Sequence, residues 1–137
     1  QALLAEVIRL EPVVGRLYRR LEGDLELAQG GTLPAGARVA VDVRAANADP
    51  AAVGPQPLCL DPDRRPAAKG VQRYGLSFGD GHHRCPGSFL ALEEADVFLH
   101  RLLSLPGLRL AQPPSVSFND LVQGYELRDI WVEVAAG

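Results

Sequence analysis

The sequence predicts an α+β fold, mainly helical, with small β hairpins. Three observations carry this. Residues 1–10 and about 88–104 repeat apolar side chains with the period of a helix. Residues 25–27 and 39–43 are short apolar stretches bounded by Gly- and Pro-containing turn signals. The 14 glycines and 11 prolines call for many turns, while 47% hydrophobic and 23% charged residues match an ordinary globular protein rather than a low-complexity chain.

The elements follow in order. Apolar residues at 3, 4, 7, 8 and 10 make the first helix, and Pro12 stops it. Residues 25–27 and 39–43 read as strands, separated by Gly30-Gly31 and by Leu33-Pro34-Ala35-Gly36, which suits a type I turn. Residues 47–75 hold prolines at 50, 55, 57, 62 and 66 and read as a long irregular stretch; such stretches inside compact domains are often functional. A helix over 88–104 presents a broad apolar face at Leu90, Leu92, Ala95, Phe98, Leu99, Leu102 and Leu103, and Pro106-Gly107 ends it. Residues 115–134 read as a hairpin with its turn near Gln123-Gly124 and with Ile130, Val132 and Val134 alternating on one strand.

A net charge of −3 gives no reason to expect nucleic acid as a partner. No apolar run reaches the ~20 residues of a membrane span, and no segment has the pattern of a signal peptide. Two cysteines, Cys59 and Cys85, cannot build a disulfide scaffold, so a reducing cytoplasm is expected. The chain opens inside a helical pattern, without Met and without an N-cap residue, which leads us to expect further sequence before it.

Cys85 is the centre of the functional reading. It precedes a helix, in a loop with glycines at 79, 81 and 87, and Pro86 suits the first helical position. Free N–H groups and the positive end of the helix dipole favour thiolate over thiol, and His82, His83 and Arg84 add to this. The glycines let the backbone approach a flat or bulky partner closely. A thiolate on such a loop suits a metal ligand or a nucleophile. A zinc site from His82, His83, Cys85 and His100 is a weaker alternative, because adjacent histidines rarely both reach one ion.

The motif Phe78-Gly79-x-Gly81-x-His83-x-Cys85-x-Gly87 resembles the heme-ligand loop of the cytochrome P-450 superfamily, the heme-thiolate monooxygenases. Glu6-x-x-Arg9 resembles the buried Glu–Arg pair of that family's K helix. Asn47-x-Asp49-Pro50 resembles the segment after the next hairpin, and Asp61-Pro62-Asp63-Arg64 the irregular meander before the heme loop. The resemblance covers about residues 3–134. It implies that residues 1–137 are the C-terminal heme-binding part of a cytochrome P-450 fold, a portion of a larger single domain whose N-terminal and distal part is absent.

The resemblance also implies roles. Cys85 would be the axial thiolate ligand of the iron of heme b (iron protoporphyrin IX); this family is the standing example of a thiolate that pushes electron density toward O–O cleavage. His83 and Arg19 would bond the propionates, with Arg16 a weaker candidate, since a guanidinium pairs with a carboxylate bidentately. Phe78 would pack beside the thiolate, and Gly79, Gly81 and Gly87 would let the loop approach the heme. Glu6 and Arg9 would form a buried structural pair. Val13, Val14, Tyr125 and Leu127 would contact a small apolar organic substrate. Arg64, Arg65, Lys69, Arg73 and Arg84, opposed only by Asp80, would dock an acidic ferredoxin-type or flavoprotein electron donor.

The implied activity is insertion of one oxygen atom from O2 into an apolar substrate. Two alternatives stay open. The string His83-Arg84-Cys85-Pro86-Gly87 also resembles the branch that uses hydrogen peroxide on fatty acids, and the isolated chain fits a non-enzymatic heme-binding remnant. Such an isolated chain is expected to self-associate. Cys59 stands where an arginine often completes a triad with the K-helix pair, and is read as filling a hydrophobic gap. Gln123 precedes Gly124 where arginine is common in the family.

Overall fold

The structure, a computed structural model, describes residues 1–135. Helix α1 (Ala2–Leu10) follows the predicted period and ends at Glu11, whose extended backbone is what a following Pro12 favours. Its buried positions are Ala5, Glu6 and Arg9, while Leu3 and Val7 stay exposed. The chain then enters β1 (Arg16–Arg20), the two-residue strands β2 (Leu25–Glu26) and β3 (Thr32–Leu33), and β4 (Arg38–Asp42). β1 pairs antiparallel with β4, setting Arg16 opposite Asp42, and β2 pairs with β3.

Residues 47–75 are more regular than expected. Val43, expected as the end of a strand, opens α2 (Val43–Asn47), because the Asp42 carboxylate accepts from the Ala45 N–H at 2.9 Å and caps the turn. Asp49 caps α3 (Pro50–Val53) through the Ala51 N–H at 2.9 Å, with Pro50 in the first turn, where its missing N–H costs nothing. Short capped helices carry too few residues to show a period. The stretch that follows is irregular up to a 3-10 turn at Gly81–His83 and helix α4 (Ser88–Leu103). Gly87 is the N-cap of α4, so Pro86 lies ahead of the helix and not at its first position as expected.

β5 (Arg109–Leu110) pairs with β8 (Val132–Glu133), and β6 (Ser115–Asn119) with β7 (Gly124–Arg128). The terminal hairpin is present, but its turn is residues 120–123. Gln123 takes the left-handed backbone (φ +54°), and Gly124, expected in the turn, opens β7, which carries Tyr125 and Leu127. Of the alternating residues 130, 132 and 134, only Val132 falls in a strand, paired with Leu110.

Among the described residues the buried hydrophobic ones are few: Ala5, Val43, Val53 and Tyr74. The buried polar residues are Glu6, Arg9, Asn47, Arg64 and Ser88. The apolar face expected on α4 is only partly covered: Leu92, Ala95 and Leu102 are half-buried, while Phe98 is 62% and Leu103 69% exposed. Among the described residues no helix is long and apolar enough to cross a membrane.

Candidate functional site

The site rests on an ionic clamp. On α1, Arg9 Nε and Nη2 donate to the two Glu6 carboxylate oxygens, each at 2.7 Å, a bidentate pair three residues apart. Arg64 completes it from 58 residues away, with Nε donating to Glu6 Oε1 at 2.8 Å. Burial pushes the Glu6 carboxyl up, but donors from Arg9, Arg64 and the Asp61 N–H outweigh this and lower it from 4.5 to about 2. The remaining Arg64 donors reach the carbonyls of Val53, Pro55, Gln56 and Cys59. The first is at the end of α3 and the other three lie in an irregular, Pro-rich loop, where no continuing helix or strand ladder supplies donors, so a buried guanidinium satisfies them.

This corrects two expectations. Arg64 does not belong to a docking surface; it is 7% exposed and held in the clamp. Cys59 neither occupies the triad position nor fills a gap: its side chain is exposed, and the triad arginine lies five residues later. Sequence reading missed this because three neighbouring cations look alike until one of them finds a distant carboxylate.

The cysteine loop is fixed by its backbone. The Cys85 N–H donates to the Phe78 carbonyl at 2.7 Å, closing the loop across Gly79–Arg84. Gly79 has φ +69°, and a Cβ there would lie 2.7 Å from the His83 carbonyl oxygen, so no larger residue fits this turn. The ring of buried Tyr74 meets Phe78 edge-on, with centroids 5.0 Å apart. Arg84 Nη2 donates to the Tyr74 hydroxyl at 3.0 Å, which spends part of its guanidinium inside the fold. Arg65, Lys69 and Arg73 are exposed.

Cys85, Phe78, Gly79, His83 and Arg19 line one cavity of about 480 Å³, where the end of α1, strand β1 and the cysteine loop meet. Val13 and Val14 line it too, and the rest of its wall is largely apolar, including Leu17 and Leu76. Gly81 and Gly87 lie in the loop but not in the cavity wall; Gly87 passes close to the sulfur, where a Cβ would sit 3.9 Å from Cys85 Sγ. Tyr125 and Leu127 line a second, mostly apolar cavity of about 700 Å³, to which Val13 also contributes. The residues expected to touch substrate thus divide between two cavities that share one side chain. Arg16 lies apart from the cysteine cavity, 3.8 Å from the Asp42 carboxylate. His82, His83, Cys85 and His100 do not gather into a metal-holding cluster, and none of three or more His, Cys, Asp or Glu side chains exists among the described residues.

The cytochrome P450 family model matches residues 1–114, and the chain belongs to that family. Over 91 residues it is 42% identical to biflaviolin synthase of Streptomyces coelicolor, covering 66% of this chain and 20% of that protein. It is 38% identical over 112 residues to cytochrome P450-SOY of Streptomyces griseus, covering 81% of this chain and 25% of that one. Among solved structures, P450BioI in complex with an acyl carrier protein ligated to hexadec-9Z-enoic acid superposes with a TM-score of 0.80 at 30% identity, covering 98% of this chain and 33% of that one. CalO2 superposes at 0.77 with 29% identity, covering 98% and 32%. The chain therefore spans about a quarter of the curated relatives' length and a third of the solved ones.

Family membership implies a heme group, and the residues present fit one. An apolar wall suits the macrocycle, a cysteine suits the iron, and Arg19 and His83 on the same cavity suit its carboxylates.

Proposed function

We propose that the intact protein is a heme-thiolate monooxygenase that inserts one oxygen atom from O2 into a small apolar organic substrate, and that residues 1–137 are the C-terminal heme-binding portion of its larger single domain. The observation that carries this reading is the convergence of Cys85, Phe78, Gly79, His83 and Arg19 on one apolar cavity. In this reading Cys85 is the axial ligand of heme b, and Arg19 and His83 hold the propionates. Gly79, Gly81 and Gly87 shape the loop around the sulfur, and Phe78 limits water there, which tunes the iron's potential. Heme, when bound, would supply the oxygen activation; the chain supplies the ligand, the anchors and an apolar wall. Val13 and Val14 face the substrate from the cysteine cavity, Tyr125 and Leu127 from the neighbouring one.

Electrons come from an acidic ferredoxin-type or flavoprotein donor in the cytoplasm, docked on Arg65, Lys69, Arg73 and the free part of Arg84. The Pro86-Gly87 pair after the cysteine favours a second reading, a peroxygenase that takes hydrogen peroxide in place of O2 and a donor.

The decisive experiment is Cys85→Ala in the heme-loaded intact protein. It abolishes the thiolate-type Soret band of the ferrous carbonyl complex, whereas Cys59→Ala leaves the band unchanged. A band that persists in Cys85→Ala overturns the assignment.

A further inference from the structure

Asn47 has no part in the roles assigned above, yet it is buried and fully bonded. Its Nδ2 donates to the Arg9 carbonyl and to Ser77 Oγ, both at 2.9 Å. Its Oδ1 accepts from the Leu76 N–H at 2.7 Å, and its own carbonyl accepts from Arg9 Nη1 at 2.6 Å. Ser77 Oγ in turn donates to the Ile8 carbonyl at 2.8 Å. One amide thus joins the end of α1 to the two residues that lead into the cysteine loop. From there, backbone bonds take over: Leu76 accepts from the Gly79 N–H at 2.8 Å, and Phe78 accepts from the Cys85 N–H at 2.7 Å.

A separate observation shows how closely this contact is fitted. Gly75 has φ +59°, and a Cβ there would lie 2.1 Å from Asn47 Oδ1. The backbone passes so near the amide that only glycine fits beside it.

We infer that Asn47 is a positioning residue for Cys85, acting with Ser77; the inference rests on the reading of Cys85 as the heme ligand. The amide fixes Leu76 and Ser77 against α1, these set the Phe78 carbonyl, and that carbonyl sets the Cys85 backbone. Polar groups that orient a ligand in this way typically change metal affinity or activity by roughly 10–100-fold when removed.

The test uses the heme-loaded intact protein and four variants: Asn47→Ala, Ser77→Ala, Cys85→Ala and Val53→Ala. Val53 is as buried as Asn47, its side chain makes no hydrogen bond, and Val53→Ala keeps the main-chain carbonyl that Arg64 holds, so it reports a purely structural loss. Three readouts are compared: melting temperature, the rate of heme transfer to an excess of heme-free globin, and the fraction of ferrous carbonyl complex in the thiolate-type band. Asn47→Ala should speed heme transfer by about 10-fold or more and convert part of the band, with Ser77→Ala moving the same way by less. Val53→Ala should lower the melting temperature and leave the other two readouts near wild type. If Asn47→Ala and Val53→Ala behave alike in all three, the inference falls while the ligand assignment stands. If wild type lacks the band, both fall. Should Asn47→Ala fail to fold, Ser77→Ala decides by the same comparison, and unchanged heme transfer and band in it overturn the inference.

Discussion

Two regions of this molecule are built on opposite plans. Around the end of α1 the interior is ionic and amide-rich, with Glu6, Arg9, Asn47 and Arg64 buried and mutually bonded. Along α4 and the terminal hairpin the large apolar side chains Phe89, Phe98, Leu103, Leu121 and Trp131 stand in the open. The first region shows that directional bonds can fix a loop without much apolar burial, because each charge has a partner at hydrogen-bond distance. The second shows that a good apolar stripe creates no core where its neighbours cover only one edge of it: Leu92 meets α1 and Tyr74, while Phe98 and Leu103 meet little.

The largest expected effect breaks the clamp. Glu6→Ala should cost about 3–5 kcal/mol, since it leaves the buried guanidinium groups of Arg9 and Arg64 without a counter-charge. Arg64→Ala should cost about 2–4 kcal/mol, since Glu6 keeps Arg9 but loses one partner, and the loop carbonyls that Arg64 held lose their donor. The adjacent Arg65→Ala should stay within about 0.5 kcal/mol, because Arg65 is exposed. Chemical denaturation of the set measures this, and equal losses at 64 and 65 would dissolve the distinction between buried clamp and open surface.

Acid acts on the same region. The Glu6 carboxyl is lowered from 4.5 to about 2, so its contribution to stability is complete above about pH 4.5 and is lost as pH falls toward 2. Glu6→Gln should flatten that part of the stability–pH curve, which denaturation at several pH values checks; an unchanged slope between pH 4.5 and 2 would assign acid sensitivity to other groups.

On the open surface, reversing Arg73 and Arg84 to Glu should slow reduction by an acidic donor at least about 10-fold at low salt and flatten its salt dependence. Stopped-flow reduction across ionic strength reads both, and unchanged low-salt rates would remove the docking surface. Smallest of all, Phe98→Ser and Leu103→Ser should change stability by no more than about 0.5 kcal/mol while reducing self-association of the 137-residue chain. Sedimentation gives the size, and a monomer before substitution would show that these faces are not adhesive.

Local pattern made part of this protein legible. The cysteine loop could be read because its glycines, histidine and cysteine lie within ten residues and each answers to a local geometric need. Glu6 and Arg9 could be paired because helical spacing puts them on one side. Arg64 was hidden among other cations, since only its contact with Glu6 sets it apart from Arg65. The uncapped carbonyls of a Pro-rich loop were the available signal that a many-donor side chain must lie nearby. Asn47 was visible as part of a motif, but its task depends on Leu76 and Ser77, about thirty residues away.

The sequence by itself determined the family, the helices α1 and α4, the terminal hairpin and the cysteine loop, because periodicity, turn residues and a dense local motif act over short distances. Tertiary structure alone decided which of several arginines completes the Glu6–Arg9 pair, that Cys59 is exposed, and that Val13 and Val14 line one cavity while Tyr125 and Leu127 line another. Those outcomes depend on pairing between residues tens of positions apart, and a charge's worth is set by what lies within a few ångströms of it in space.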